Sequence, residues 1–206
     1  MKRYWLFLLL VIGIIAPSAV FTPAFPPEKK RYSIVKPSRL YLRGTTNVNK
    51  FTCECEDQFV LQELEITDDT DAGARFKNAR LSMMTRKFNC RNGKIDRDMQ
   101  KALKAEEYPK IEIELLETRQ KTEGLQNPES DWFDIEAKVN VTITGVTKEK
   151  QIKAKAKKLS TGQFALKGSE ALNMSEFSIV PPTAMFGLIK VNDQITFHFD
   201  LTIQLD

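Results

Sequence analysis

Residues Phe133 to Ile143 read FDIEAKVNVTI, and residues Ile195 to Leu205 read ITFHFDLTIQL. In the first stretch Phe133, Ile135, Ala137, Val139, Val141 and Ile143 share one parity. In the second, Ile195, Phe197, Phe199, Leu201, Ile203 and Leu205 do, with Thr196, His198, Asp200, Thr202 and Gln204 between them. Side chains of a strand alternate between its two faces, so each stretch reads as one strand with an oily side and a wet side. Ordinary strands run about five or six residues. Two strands of roughly twice that length, each with one apolar face, call for a large sandwich or a barrel closed around an apolar interior.

Working outward, the same alternation marks a first strand at Tyr32–Val35 and Leu40–Arg43, broken at Pro37, with a turn over 44–49. Further strands are expected at Lys50–Glu56, Phe59–Thr67, Arg75–Phe88, Lys110–Thr118 and Phe164–Leu172, with the acidic run DDTDAGA (68–74) as a bend and KTEGLQNPES (121–130) as a loop. In the block KEKQIKAKAKK (148–158), Ile152, Ala154 and Ala156 alternate with Lys153, Lys155 and Lys157, the pattern of a strand whose outer face is solvated lysine. One short helix is expected. Asp96 is its N-cap, Met99, Ala102 and Leu103 share a face, and Tyr108–Pro109 ends it. About eight strands, a single helix and no strand–helix–strand alternation make the chain all-β and antiparallel. Strand length and sequential hairpins favour an up-and-down barrel over a sandwich.

Composition narrows the function. The 206 residues are 42% hydrophobic, enough for one domain with a real core. Lys2 and Arg3 precede an uncharged run from Tyr4 to Ile15 and then Ala16, Pro17, Ser18 and Ala19, the layout of a secretory signal peptide. Residues 1–21 are therefore expected to be a leader and 22–31, with TPAFPPE, a proline-rich tether to a domain spanning 32–206. The domain would be periplasmic or secreted, or membrane-anchored if the leader is not cleaved. The formal charge of +4 falls to +2 when Lys2 and Arg3 leave, and no aromatic residues interleave with the lysine block, so nucleic acid is not an expected partner.

Catalytic signatures are lacking: there is no GxSxG elbow, HExxH helix, phosphate loop or dinucleotide fingerprint. His198 stands alone on the polar face of its strand with Asp200 two residues on and no nucleophile at hand. The Asp68, Asp69, Asp71 cluster lacks the glycine and terminal glutamate of a calcium loop, and no metal site is expected. Asn140 and Asn173 begin Asn-x-Thr and Asn-x-Ser acceptors that matter only in a eukaryotic secretory pathway. Export makes Cys53, Cys55 and Cys90 disulfide candidates. Cys53 and Cys55 share a strand face and are badly placed to bond each other, so one of them pairs with Cys90 unless all three are buried thiols.

Four passages together resemble the YceI-like family of exported lipocalin-like proteins associated with polyisoprenoid binding. They are SRLYLRGTTNVNKF (38–51), MQKALKAEEYPKI (99–111), VTITGVTK (141–148) and GSEALNMSEFSIVPP (168–182). The chain departs from many members in having Val35-Lys36-Pro37-Ser38 where they begin with a D-x-x-H-S motif. The resemblance implies an extended eight-stranded antiparallel barrel with one short helix and an apolar lumen. It implies a disulfide between Cys53 and Cys90 on the repeated F-x-C of Phe51 and Phe88. It also implies binding, carriage or sequestration of an isoprenoid-like or quinone-like lipid, with no bond-making chemistry and no other cofactor.

The expected lumen lining is Leu40, Leu42, Phe51, Ile111, Ile113, Ile135, Val139, Val141, Phe164, Phe197, Phe199 and Leu201. The expected partner is a hydrophobic small molecule or lipid, with peripheral contact to a membrane and a dimer left open. Two rival readings are a filled barrel serving as an envelope scaffold or partner-binding module, and a lipid-acting enzyme using an unpaired Cys55.

Overall fold

The computed structural model describes residues 26–59, 61–70, 72–120 and 131–206. The leader, residues 22–25 of the tether and the loop at 121–130 lie outside the described residues. In chain order the elements are β1 (Glu28–Thr46), β2 (Lys50–Cys55), β3 (Gln62–Thr70), β4 (Gly73–Met84), β5 (Phe88–Asn89), α1 (Gly93–Ala102), β6 (Lys110–Gln120), β7 (Phe133–Ile143), β8 (Val146–Ser160), β9 (Gln163–Asn173), β10 (Thr183–Ala184) and β11 (Ile189–Leu205).

Eight of these strands close a ring. The order β11-β9-β8-β7-β6-β4-β3-β1 is antiparallel throughout, and β1 returns to pair with β11 from Tyr32↔Leu205 to Thr46↔Val191. The two stretches whose alternation pointed to a barrel are β7, with the expected bounds, and most of β11. Their apolar parities both face inward: Ile135, Val139, Val141, Ile143 and Leu201 are all buried. Closure leaves no long exposed edge among the ring strands, which is how an all-β chain of this size avoids edge pairing.

β1 is the organising strand. Its outer edge runs along β11, while its other edge is shared in succession by β3 (Glu28↔Ile66 to Tyr32↔Gln62) and β2 (Tyr41↔Glu54 to Thr45↔Lys50). Pro37 does not end it, as the sequence suggested. A register shift between Val35 and Arg39 absorbs the cis Lys36–Pro37 bond. Ser38 Oγ accepts from the Thr202 N–H at 2.9 Å and donates to the Val35 carbonyl at 2.5 Å, and Thr202 Oγ1 donates to the Pro37 carbonyl at 2.8 Å. These side chains satisfy the ladder groups that the bulge leaves unpaired, so one strand continues through the proline.

Other bounds also moved. β1 begins at Glu28, inside the stretch read as tether. The acidic run is strand as far as Thr70, and strand resumes at Gly73. The expected Arg75–Phe88 strand is interrupted by a 3-10 turn at Thr85–Lys87. The helix is capped by Asn92, whose side chain accepts from the N–H groups of Lys94 and Ile95, and not by Asp96. It ends at Ala102 because Lys104 turns left-handed (φ 48°) and the Ala105 N–H reaches back to the Gln100 carbonyl. An Asn whose carbonyl already faces two free N–H groups outcompetes a residue one turn later. On the outside of the ring, Lys155 of β8 pairs with Asp134 of β7 and Lys138 of β7 with Glu149 of β8, both at 2.9 Å, in keeping with the solvated outer face expected of the lysine block.

Candidate functional site

The barrel is not uniform along its axis. Around the waist, Leu40 (2% exposed), Val139, Val141 and Leu201 are packed tightly enough to exclude water from one another. Phe199 closes over Gly168 on the neighbouring strand, and a Cβ there would lie 2.6 Å from the ring. Beyond the waist, at the end where β1 turns into β2, the same core opens around a cavity of about 310 Å³.

Four parts of the chain wall it. Leu42, Thr46, Asn49 and Phe51 come from the β1–β2 hairpin, and Ile111, Ile143 and Leu172 from the ends of β6, β7 and β9. Asn92, Lys94, Ile95, Asp98, Met99, Ala102 and Leu103 come from α1 and its flanks. Met174, Phe177, Ile179, Pro182, Thr183, Ala184 and Met185 come from the return between β9 and β11, with Asn173 at the end of β9 and Ile189, Val191 and Ile195 in the first part of β11. Eighteen of these twenty-five are apolar; Lys94 and Asp98 are the only charged ones, both on the helix.

The helix explains why the space is empty. Ile95, Met99, Ala102 and Leu103 lie on one face at the spacing that buries an amphipathic helix against a core. Yet no residue of α1 itself is fully buried, because that face looks across the cavity. The helix is held above the gap from its N-terminal side. Asp96 accepts from the Cys90 N–H at 2.7 Å, and Cys90 is bonded to Cys53 on β2. The disulfide implied by the family resemblance is therefore present, and it ties the lid helix to the barrel wall. On the floor, Phe51 lies flat over Gly44, where a Cβ would come within 2.2 Å of the ring, so glycine is needed for the aromatic to lie there.

The polar groups near the cavity are few and mostly engaged. Glu170 faces inward on β9, opposite Phe197 and one inward position below Leu172. Burial raises its carboxyl above the usual range, helped by Glu176 and opposed by Lys150. Lys150 is itself bonded to Glu176, on the 3-10 turn Met174–Phe177. Cys55, the unpaired cysteine, sits on β2 against the core, and burial pushes its thiol up to about 11, the reverse of what activates a nucleophile. His198 lies on the outer face, its ring stacked on Tyr41 at 4.7 Å. Among the described residues no group of three or more His, Cys, Asp or Glu side chains could hold a metal.

Of the twelve residues expected to line a lumen, Leu42, Phe51 and Ile111 line the cavity. Leu40, Val139, Val141 and Leu201 lie in the packed waist, with Ile113, Phe197 and Phe199 leaning on it. Ile135 belongs to a separate cluster with Ala154 and Ala156, and Phe164 sits opposite Ile203 and Lys158 toward the far end. The lining that sequence reasoning passed over is chiefly the segment from Met174 to Met185. Strand parity cannot see it, since Met174–Phe177 is a 3-10 turn and residues 178–188 are mostly irregular. Its one visible signal was SIVPPTAMFG, ten residues without a charge.

The same architecture recurs in solved structures. A polyisoprenoid-binding domain from Saccharophagus degradans, implicated in plant cell wall breakdown, superposes with a TM-score of 0.59 at 12% identity, covering 85% of this chain and 98% of that one. BcnA of Burkholderia cenocepacia gives 0.58 at 12% identity, covering 80% and 95%. No curated protein sequence matches the chain. The YceI-like domain model matches residues 38–203, from the bulge of β1 almost to the end of β11. With the ring, its lid helix and its disulfide accounted for, the chain belongs to the YceI-like domain family.

Proposed function

We propose that this protein is an exported carrier that takes the hydrocarbon part of an isoprenoid-like or quinone-like amphiphile into the cavity beneath α1. The observation that carries this reading is the apolar helix face over the cavity: Ile95, Met99 and Ala102 pack against the core on one side but are only partly buried, and the surface they leave borders unfilled space that an apolar guest would cover. The similarity to a domain described as polyisoprenoid-binding supports the ligand class. The disulfide supports an oxidising compartment, in line with the leader-like N-terminus.

The cavity volume bounds the affinity. At about 310 Å³ it sits at the low end of the roughly 300–1,000 Å³ of ligand sites, so it holds part of a long chain and the rest lies along the mouth. Each methylene taken from water contributes about 0.8 kcal/mol, so about ten give roughly 8 kcal/mol before ordering costs, a micromolar ceiling for the cavity alone. The test is titration with a fluorescent polyene fatty acid, competed by prenyl alcohols. Ala102→Trp, which places an indole in the cavity, should weaken uptake at least about tenfold with the fold intact by circular dichroism. A parent protein that takes up no probe would leave the second reading, a scaffold whose packed waist serves only stability.

A further inference from the structure

We propose that the hairpin between β10 and β11 is a finger that inserts into an anionic lipid bilayer and places the cavity mouth against it, resting on the reading of the cavity as a hydrocarbon site. Val180, Met185, Phe186 and Leu188 are exposed, Phe186 completely, and Val48 on the adjoining β1–β2 turn stands beside them. Met185 and Phe186 hold left-handed backbone (φ 50° and 57°) ahead of Gly187 at 87°, a conformation bulky residues avoid and that here turns their side chains outward. The tip projects freely: a Cβ at Gly187 would meet no atom within 4 Å.

The finger is rigidly mounted. Asn47 donates to the Leu188 carbonyl and accepts from the Lys190 N–H, both at 2.9 Å, and Asn192 donates to Thr45 at 2.7 Å. Met185 both lines the cavity and faces solvent, so one apolar surface runs from the cavity wall to the tip. A hydrocarbon chain could follow it without entering water.

The occupant is a bilayer for two reasons. A convex tip of four side chains falls far short of the roughly 20–30 residues per side of a stable protein interface, whereas a fluid bilayer closes around a small protrusion. Charge agrees. From Phe177 to Asn192 the only charged residue is Lys190, Lys50 flanks the opposite turn, and the acids on either side are engaged, Glu176 by Lys150 and Asp193 by the Ser175 N–H and hydroxyl at 2.8 and 2.5 Å.

The experiment uses the full chain with an environment-sensitive fluorophore on Val48→Cys, the unsubstituted chain being labelled in parallel to account for Cys55. Vesicles contain equal parts phosphatidylcholine and phosphatidylglycerol. The reporter should shift to the blue on vesicle addition, and Phe186→Ser with Leu188→Ser should weaken that response at least about tenfold with the fold intact by circular dichroism. The tether enters β1 at the opposite end of the barrel, so binding through the N-terminus alone would sediment the protein without moving the reporter, and that result overturns the inference. So does a reporter shift indifferent to the two substitutions, or a dimer that they dissolve in the absence of any vesicle response. A vesicle response from a protein that takes up no polyene supports the finger and removes the cavity reading.

Discussion

The waist of the barrel and its open end are lined by the same kinds of side chain, yet one is solid and the other hollow. At the waist, ring strands meet on all sides and inward residues from opposite walls interlock, Leu40 with Val139, Val141 and Leu201. At the open end three ring positions are replaced: β2 stands in for β3, β5 for β4, and a helix for the continuation of the wall. A helix side chain reaches inward from one face only, and α1 stands off from the opposite wall, so hydrophobic residues there enclose space without filling it. Apolar composition alone therefore does not distinguish a core from a binding site; the element that carries it does.

Breaking the tie between lid and wall should have the largest effect. Replacing Cys53 and Cys90 by Ala removes a cross-link that spans 37 residues, worth about 3–4 kcal/mol in the chain-entropy account, or roughly 10 °C in Tm. Because the bond lies at the open end, hydrogen exchange should quicken in α1 and β5 while β7 and β8 stay protected. Uniform loosening would mean the two regions are not separate.

Next, Leu40→Ala should cost about 2–5 kcal/mol in denaturant unfolding, since it opens a void in a packed wall, and should leave polyene affinity within a few-fold. Its counterpart, Met99→Ala, removes a side chain that already borders empty space. A loss below about 1 kcal/mol is expected, with the affinity changing more than the stability. Equal costs at 40 and 99 would mean that the cavity end is as closely packed as the waist.

The smallest effect concerns pH. Burial raises the folded-state value of Glu170 above its unfolded one, so the native chain keeps this proton to higher pH. Stability is then fullest below the unfolded value and declines as pH climbs through the folded value. Glu170→Gln should therefore match the parent in acid and exceed its Tm slightly at neutral pH. A deficit at neutral pH would show that the carboxylate is stabilised by Lys150 more than it is penalised by burial.

Most of this fold was legible because two-residue alternation survives wherever a strand has one wet face. FDIEAKVNVTI and ITFHFDLTIQL sit in the ring with their expected faces inward. Pro37 misled because its compensation, Ser38 bonding to Thr202, lies 164 residues away. Asp96 misled in the same way: as a cap it competes with Asn92, but its carboxylate serves the Cys90 N–H. Strand parity reaches the cavity at Leu42, Phe51 and Ile111, and at Ile143 and Ile195 on the apolar faces of the two long strands. Apart from the α1 face, much of the rest is built from a 3-10 turn and the irregular return through Ile179, Pro182 and Ala184, where side-chain direction follows tertiary contacts and has no period to read.

The meeting of β1 and β11 has a practical corollary. Tyr32 lies opposite Leu205, and the Asp206 N–H donates to the Arg31 carbonyl at 2.9 Å, so the two extremities of the barrel sequence are neighbours, remote from the opening. A short peptide could splice them, and the chain could be cut afresh at the Thr161–Gly162 turn, giving a circular permutant with the same walls. Surface immobilisation through Asp206 would likewise present every molecule with its opening directed away from the support.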